Sequence, residues 1–170
     1  MNKPINILVT GCNGRMGKAI INCASNHSEV LITKGIDIGD VLDDHIDDSD
    51  VVIDFSTHAF TTELVGKCAS KDKSIVIGTT GHSDDELIAI KKSSESIPIV
   101  MAPNFSVGVN TLFWLTKNTA EILGEDFDLE IIEMHHRQKI DAPSGTARRL
   151  GEILAESTGV SYSNDIMHGR

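Results

Sequence analysis

Short apolar runs alternate with longer amphipathic ones along the first part of the chain. The runs "INILVT" (5–10), "LITKGI" (31–36), "DVVIDF" (50–55), "SIVIG" (74–78) and "IPIVMA" (97–102) are rich in Val and Ile. They read as strands buried on both faces. Helix-length segments lie between several of them, at Arg15–Ser25, Ala59–Lys71 and Asp84–Ser94. Strands of that composition alternating with helices predict an α/β fold, a doubly wound parallel sheet with helices on both faces.

After residue 104 the pattern changes. A long helix is expected over Val107–Leu123, stopped by Gly124. "FDLEIIEMHH" (127–136) alternates apolar and polar positions and reads as a strand with one wet face. Pro143 then starts a final helix running to about Ser157. The expected division is a first domain over 1–104 and a second over 105–170.

Composition narrows the field. The chain has 170 residues, 40% of them hydrophobic and 24% charged. A chain of this size buries roughly 70% of its unfolded surface and needs no cross-links to fold. Aromatics make up only 4%, so the core must come from Ile, Val, Leu and Ala. A net charge of −10 argues against nucleic-acid binding, which depends on Lys and Arg neutralising phosphates. A small anion is still compatible with a local cationic pocket. Cys12, Cys23 and Cys68 form an odd set without metal-type spacing. They read as reduced thiols, and a cytoplasmic protein is expected. No apolar run approaches the roughly 18 residues of a membrane span. The aspartate-rich stretch "DVLDDHIDDSD" (40–50) lacks calcium-loop spacing and reads as a solvated acidic surface.

The first strand runs into "GCNGRMG", which spaces Gly11, Gly14 and Gly17 as GxxGxxG before a helix. Glycine permits a tight turn, close approach of backbone amides to a pyrophosphate, and close helix–strand packing. The amides and the helix dipole then favour phosphates. Asp37 ends the second strand, where a ribose-binding carboxylate belongs in a Rossmann-like fold. Its acidic surroundings, with Ile38 and Asp40 following, should repel a 2′-phosphate. Arg15 is the one nearby cation that could compensate. The expectation is therefore a nicotinamide cofactor, NADH preferred over NADPH. The loops "GTTG" (78–81) and "APNFSVG" (102–108) each follow a strand and fit the same cofactor groove, or are simple turns.

The densest chemistry lies in "EMHHRQKIDAPSGTA" (133–147). On a strand, His135 and His136 would point to opposite faces and could not easily share one metal ion. No cysteine or HExxH helix accompanies them, and no metal is expected. Ser144, Gly145 and Thr146 open the final helix. They could present hydroxyls and amides to a carboxylate, or Ser144 or Thr146 could simply cap its own helix. The cationic run before them favours a site for a small acid with acid/base work nearby.

These motifs, in this order, resemble the 4-hydroxy-tetrahydrodipicolinate reductase (dihydrodipicolinate reductase) family over nearly the whole chain. The runs 104–110 and 133–146 are the most specific. The resemblance implies NADH- or NADPH-dependent reduction of a cyclic dicarboxylate, with loss of water, in lysine and diaminopimelate synthesis. It implies cofactor contacts from Gly11, Cys12, Asn13, Gly14, Arg15, Met16 and Asp37. It adds Gly78, Thr79 and Thr80, and Ala102, Pro103, Asn104 and Phe105. His135 would be the proton donor/acceptor, Lys139 the second proton donor, and His136, Gly145 and Thr146 substrate contacts, to which the residue reading adds Ser144. Homotetramers are implied for full-length members.

The chain also departs from that pattern. Gln138 stands where many relatives have His, and Ile38 where many have Arg. Only Gly39 to Ser49 separate the second and third strands. Family members continue well past Arg170, so an α+β substrate and oligomerisation domain is expected to be incomplete here. A different function class, a noncatalytic nucleotide-binding fragment, and another small-acid dehydrogenase of the same fold are the rival readings.

Overall fold

The five Val/Ile-rich runs become five parallel strands: β1 (Ile5–Thr10), β2 (Val30–Ile36), β3 (Val51–Asp54), β4 (Ser74–Ile77) and β5 (Ile99–Met101). They stand in the order β2-β1-β3-β4-β5. In this computed structural model all residues are described except Met1, Asn2, Gln138, Ile140, Asp141, His168 and Arg170. The sheet and its helices α1 (Arg15–Ala24), α2 (His58–Ser70) and α3 (Asp84–Ser93) make up one compact unit, Met1–Pro103. Parallel strands joined through helices cross over right-handedly. The order therefore puts α1 on one face and α2 and α3 on the other. The strand direction of travel reverses between β1 and β3, and ligands in such sheets bind beyond the strand ends at that reversal.

The core lies on one side of the sheet, among Leu8, Ile36, Val52, Leu64, Ile75 and Ile90 with their neighbours. Cys68 belongs to it. Burial pushes its thiol up to about 12, so it behaves as a small apolar side chain.

The aspartate-rich stretch is not simply solvated. It forms two short 3-10 turns, Leu42–Asp44 and Ile46–Asp48, that insert Leu42 and Ile46 into the core. Burying each of those side chains contributes roughly 1.5–3 kcal/mol. On the outside, Lys67 pairs with Asp43 at 2.7 Å and Lys71 with Asp47 at 2.9 Å. Lys73 donates to the carbonyls of Asp47 and Ser49. Composition showed the acids, but the two apolar residues spaced four apart decide the placement.

The second unit, Asn104–Arg170, contains α4 (Val107–Leu123), α5 (Gly145–Thr158) and the short α6 (Tyr162–Asp165). Here two expectations are corrected. No strand forms over 127–136, and the described residues of this unit contain none. A strand requires a hydrogen-bonding neighbour, and none of the described residues supplies one. The segment is exposed throughout, with Ile132 at 85% and Met134 at 92%. The final helix begins at Gly145 rather than at Pro143. Ser144 is its N-cap, accepting the Ala147 N–H at 3.0 Å, so the proline falls before the cap.

Helix α4 carries many apolar side chains, and of its residues Ala120 is the buried one. Val107, Trp114 and Ile122 are exposed on it. Its start is fixed by Ser106, which accepts from Val109, and by Asn104, whose side-chain oxygen accepts from the Ser106 N–H and the Asn110 amide.

Candidate functional site

In the first unit, the site is the rim formed by the ends of β1, β2, β3 and β4. Gly11 leaves β1 with φ +70°, a left-handed conformation that a side chain resists. A Cβ there would run into the Phe55 carbonyl after β3, and one at Gly17 into the backbone of Gly11 and Cys12. The turn is thus clamped between α1 and the β3–α2 loop. A Cβ at Gly14 would meet only the Gly11 carbonyl, at 3.2 Å, so its outer side is open.

Gly14 is also the N-cap of α1 and has no side chain to accept the first-turn amides. Those amides, on Arg15 and Met16, have no intrahelical acceptor. A glycine turn open on its outer side, ending in uncapped amides, suits a pyrophosphate.

Asp37 stands against this turn. Its carboxylate accepts from the Ile38 N–H at 2.9 Å and the Asn13 N–H at 2.8 Å. Those two bonds hold it below the ordinary carboxylate range. Asp40 accepts in turn from the Asp37 N–H at 2.8 Å. Two acids therefore share the end of β2, beside an Ile38 that is 97% exposed.

Beneath the rim is a residue that the sequence reading passed over. Asp54, at the end of β3, has no exposed surface. One carboxylate oxygen accepts from the Thr10 hydroxyl at 2.6 Å and from the Ser56 hydroxyl and N–H. The other accepts from Thr61 at 2.6 Å and Thr79 at 2.9 Å. One side chain thereby ties β1, the β3–α2 loop, α2 and the β4–α3 loop together. The signal was available: in "VVID" the period-2 pattern buries Val52 and Asp54 alike. An acid at a buried position needs donors, and the hydroxyls of Ser56 and Thr61 lie close to it in sequence.

Thr79, expected at the cofactor, spends its hydroxyl differently. It donates to Asp54 and accepts the Ser56 N–H at 3.0 Å. Its backbone remains at the rim with Gly78 and Thr80. Gly78 is required for another reason, since a Cβ there would strike the Phe55 ring. Ala102 and Pro103 end the first unit, and Asn104 and Phe105 begin the second.

In the second unit, the chemistry gathers around Glu133, again unassigned from sequence. Its Oε1 accepts the Ser144 N–H at 2.9 Å, and its Oε2 lies 3.3 Å from His135 Nδ1. Hydrogen bonds from the Ser144 hydroxyl and N–H lower its pKa, with smaller help from the charges of His135 and Lys139. Lys139 is brought near by a turn in which its N–H donates to the His136 carbonyl at 3.1 Å. His136 is exposed beside them. Ser144 is buried, while Gly145 and Thr146 are exposed at the first turn of α5. Gln138 lies outside the described residues. Among the described residues, no three of His, Cys, Asp or Glu stand together as metal ligands.

The Glu133 contact predicts an acid-sensitive helix start. A carboxyl with a depressed folded pKa adds stability above its unfolded value, about 4.3, and loses it as pH falls through the lower folded value. The Ser144 amide-proton resonance should titrate with a midpoint below about 4.3. A midpoint at or above that value would count against the contact.

Comparison with known proteins covers both units. The profile of the family described as dihydrodipicolinate reductase, N-terminus, matches residues 5–105, and that for its C-terminus matches 108–168. A 4-hydroxy-tetrahydrodipicolinate reductase of Akkermansia muciniphila is 49% identical over 166 residues, 98% of this chain and 68% of its own. The Hahella chejuensis protein of that name is 38% identical over 187 residues, 96% of this chain and 70% of its own. A solved structure, the dipicolinate-bound dihydrodipicolinate reductase of Paenisporosarcina sp. TG-14, superposes with a TM-score of 0.77 at 27% identity. That match covers 99% of this chain and 70% of the other.

Proposed function

The chain belongs to the dihydrodipicolinate reductase family, and from that premise we propose that it reduces 4-hydroxy-tetrahydrodipicolinate to tetrahydrodipicolinate, with loss of water, in lysine and diaminopimelate synthesis. The reading is carried by one observation. The glycine turn with Asp37, and the His135–Lys139 cluster at the start of α5, both occur in a chain 49% identical to a reductase of that name.

The family uses NAD(P)H, which when bound supplies a hydride. The uncapped amides of Arg15 and Met16, at the end of the Gly11–Met16 turn, would hold the pyrophosphate, and Asp37 would take the ribose hydroxyls. Gly78, Thr79 and Thr80 contribute backbone, as do Ala102 and Pro103, with Asn104 and Phe105 following. The substrate is a small dicarboxylate. The exposed amides of Gly145 and Thr146, with the Ser144 cap, bind one carboxylate at the positive end of α5. Lys139 adds positive charge, and His136 and Lys139 add hydrogen-bond donors. His135 gives up the proton that quenches charge left on the ring. Lys139 is the second proton donor.

NADH is the preferred cofactor. Asp37 and Asp40 crowd the place of a 2′-phosphate with negative charge, and the exposed Ile38 offers it no counter-charge. In an assay supplied with freshly made substrate, kcat/KM should favour NADH about tenfold, equivalent to about 1.4 kcal/mol. Equal efficiency with NADPH at physiological salt would overturn the preference. Cofactor binding without any oxidation would overturn the reductase reading. Full-length relatives are expected to be homotetramers, and the mass of this chain in solution tests whether it assembles likewise.

A further inference from the structure

We infer that Glu133 is a positioning residue that fixes which ring nitrogen of His135 carries its proton; the inference rests on His135 being the proton donor proposed above. Glu133 stands between Ser144, which bonds its carboxylate through both hydroxyl and N–H, and His135. Oε1 takes the Ser144 N–H at 2.9 Å, and Oε2 faces His135 Nδ1 at 3.3 Å. The Ser144 amide is buried and can only donate. Oε1 is therefore committed, and Oε2 lies within ion-pair distance of the imidazole. An acceptor beside Nδ1 stabilises a proton there. The ring is then set to exchange its other proton, on Nε2.

The arrangement joins two parts of the site through one carboxylate. The first turn of α5 receives the substrate carboxylate, and Glu133 holds that turn by its cap residue. His135 performs the proton transfer, and Glu133 holds its ring. A shift of one is transmitted to the other.

Glu133→Gln separates positioning from bulk. The fixed Ser144 donor takes the glutamine carbonyl, which turns the side-chain NH₂ toward Nδ1. An NH₂ donates and has no use for a proton on Nδ1, so the neutral ring should switch to the Nε2–H form. A carboxylate-to-amide change beside a catalytic histidine acts in this way in serine proteases, where it leaves the fold intact and imposes the wrong tautomer.

The test uses the whole chain with ¹⁵N-labelled histidine, at a pH where the imidazole is neutral. Long-range proton–nitrogen spectra should show His135 protonated on Nδ1 in the native protein and on Nε2 in Glu133→Gln. Turnover of the variant should fall about 10- to 100-fold, with the KM for NADH unchanged. Glu133→Asp should recover part of both. An unchanged His135 spectrum overturns the inference. So does a switched spectrum with unchanged kcat. A native chain without reductase activity would overturn the reaction reading instead, and the spectra would still decide the Glu133–His135 contact.

Discussion

Asp54→Ala is expected to cost the sheet unit about 3–5 kcal/mol, because a buried donor left without its acceptor costs about 1–3 kcal/mol and at least two would be stranded. The carboxylate accepts from four hydroxyls, those of Thr10, Ser56, Thr61 and Thr79, and from the Ser56 N–H. Some hydroxyls can rotate toward other acceptors, and water can enter part of the space. They cannot all do so, since Thr10, Thr61 and Thr79 are themselves buried. Domains of this size have about 5–15 kcal/mol in total, so the loss is a large share. Asp54→Asn keeps one carbonyl oxygen and should cost roughly half as much. Urea titration of the two variants measures both. A loss below about 1 kcal/mol for alanine would show that the network is not what joins the strand ends.

His135→Ala is expected to lower kcat about 10²- to 10⁴-fold, the range for removing a general acid, while NADH affinity stays as in the native chain. The side chain belongs to the second unit, whereas the glycine turn belongs to the first. Removing it leaves the Ser144–Glu133 bond and the α5 cap in place. Binding of NADH by fluorescence and turnover with saturating substrate separate the two effects. Weakened NADH affinity with intact turnover would sink the assignment.

Much of the first unit was legible in the sequence because Val- and Ile-rich runs alternating with helix-length segments announce a parallel sheet. The strand at 5–10 and the second unit's helix at 107–123 have the expected boundaries, and the other elements that form differ by a residue or two at their ends. Asp37 was legible because its distance from the turn follows from the strand–helix–strand geometry. Asp54 was less so. An acid at a strand end looks like a loop residue until the hydroxyls that surround it are brought in from three other segments. The 127–136 segment misled for a physical reason. Alternation shows that a segment could be a strand, but the ladder is made by a neighbour, and alternation carries no information about that neighbour. Glu133 lay inside the quoted motif throughout. Its role depends on a bond to a residue eleven positions later, across a loop whose path no spacing rule predicts.

The placement of the aromatic residues has a spectroscopic consequence. The chain has one Trp and one Tyr, and both Trp114 and Tyr162 belong to the second unit. Indole emission therefore reports on 104–170 alone, and from an exposed ring it should already be red-shifted in the native state. The strands lie wholly within Met1–Pro103 and contribute to far-ultraviolet dichroism, where the helices of both units also absorb. Following both signals through one urea titration asks whether the units melt together, since coincident transitions by different probes mark a two-state system. In Asp54→Ala the dichroic change should move to lower urea. If the emission change stays behind, the two units unfold as separate cooperative blocks.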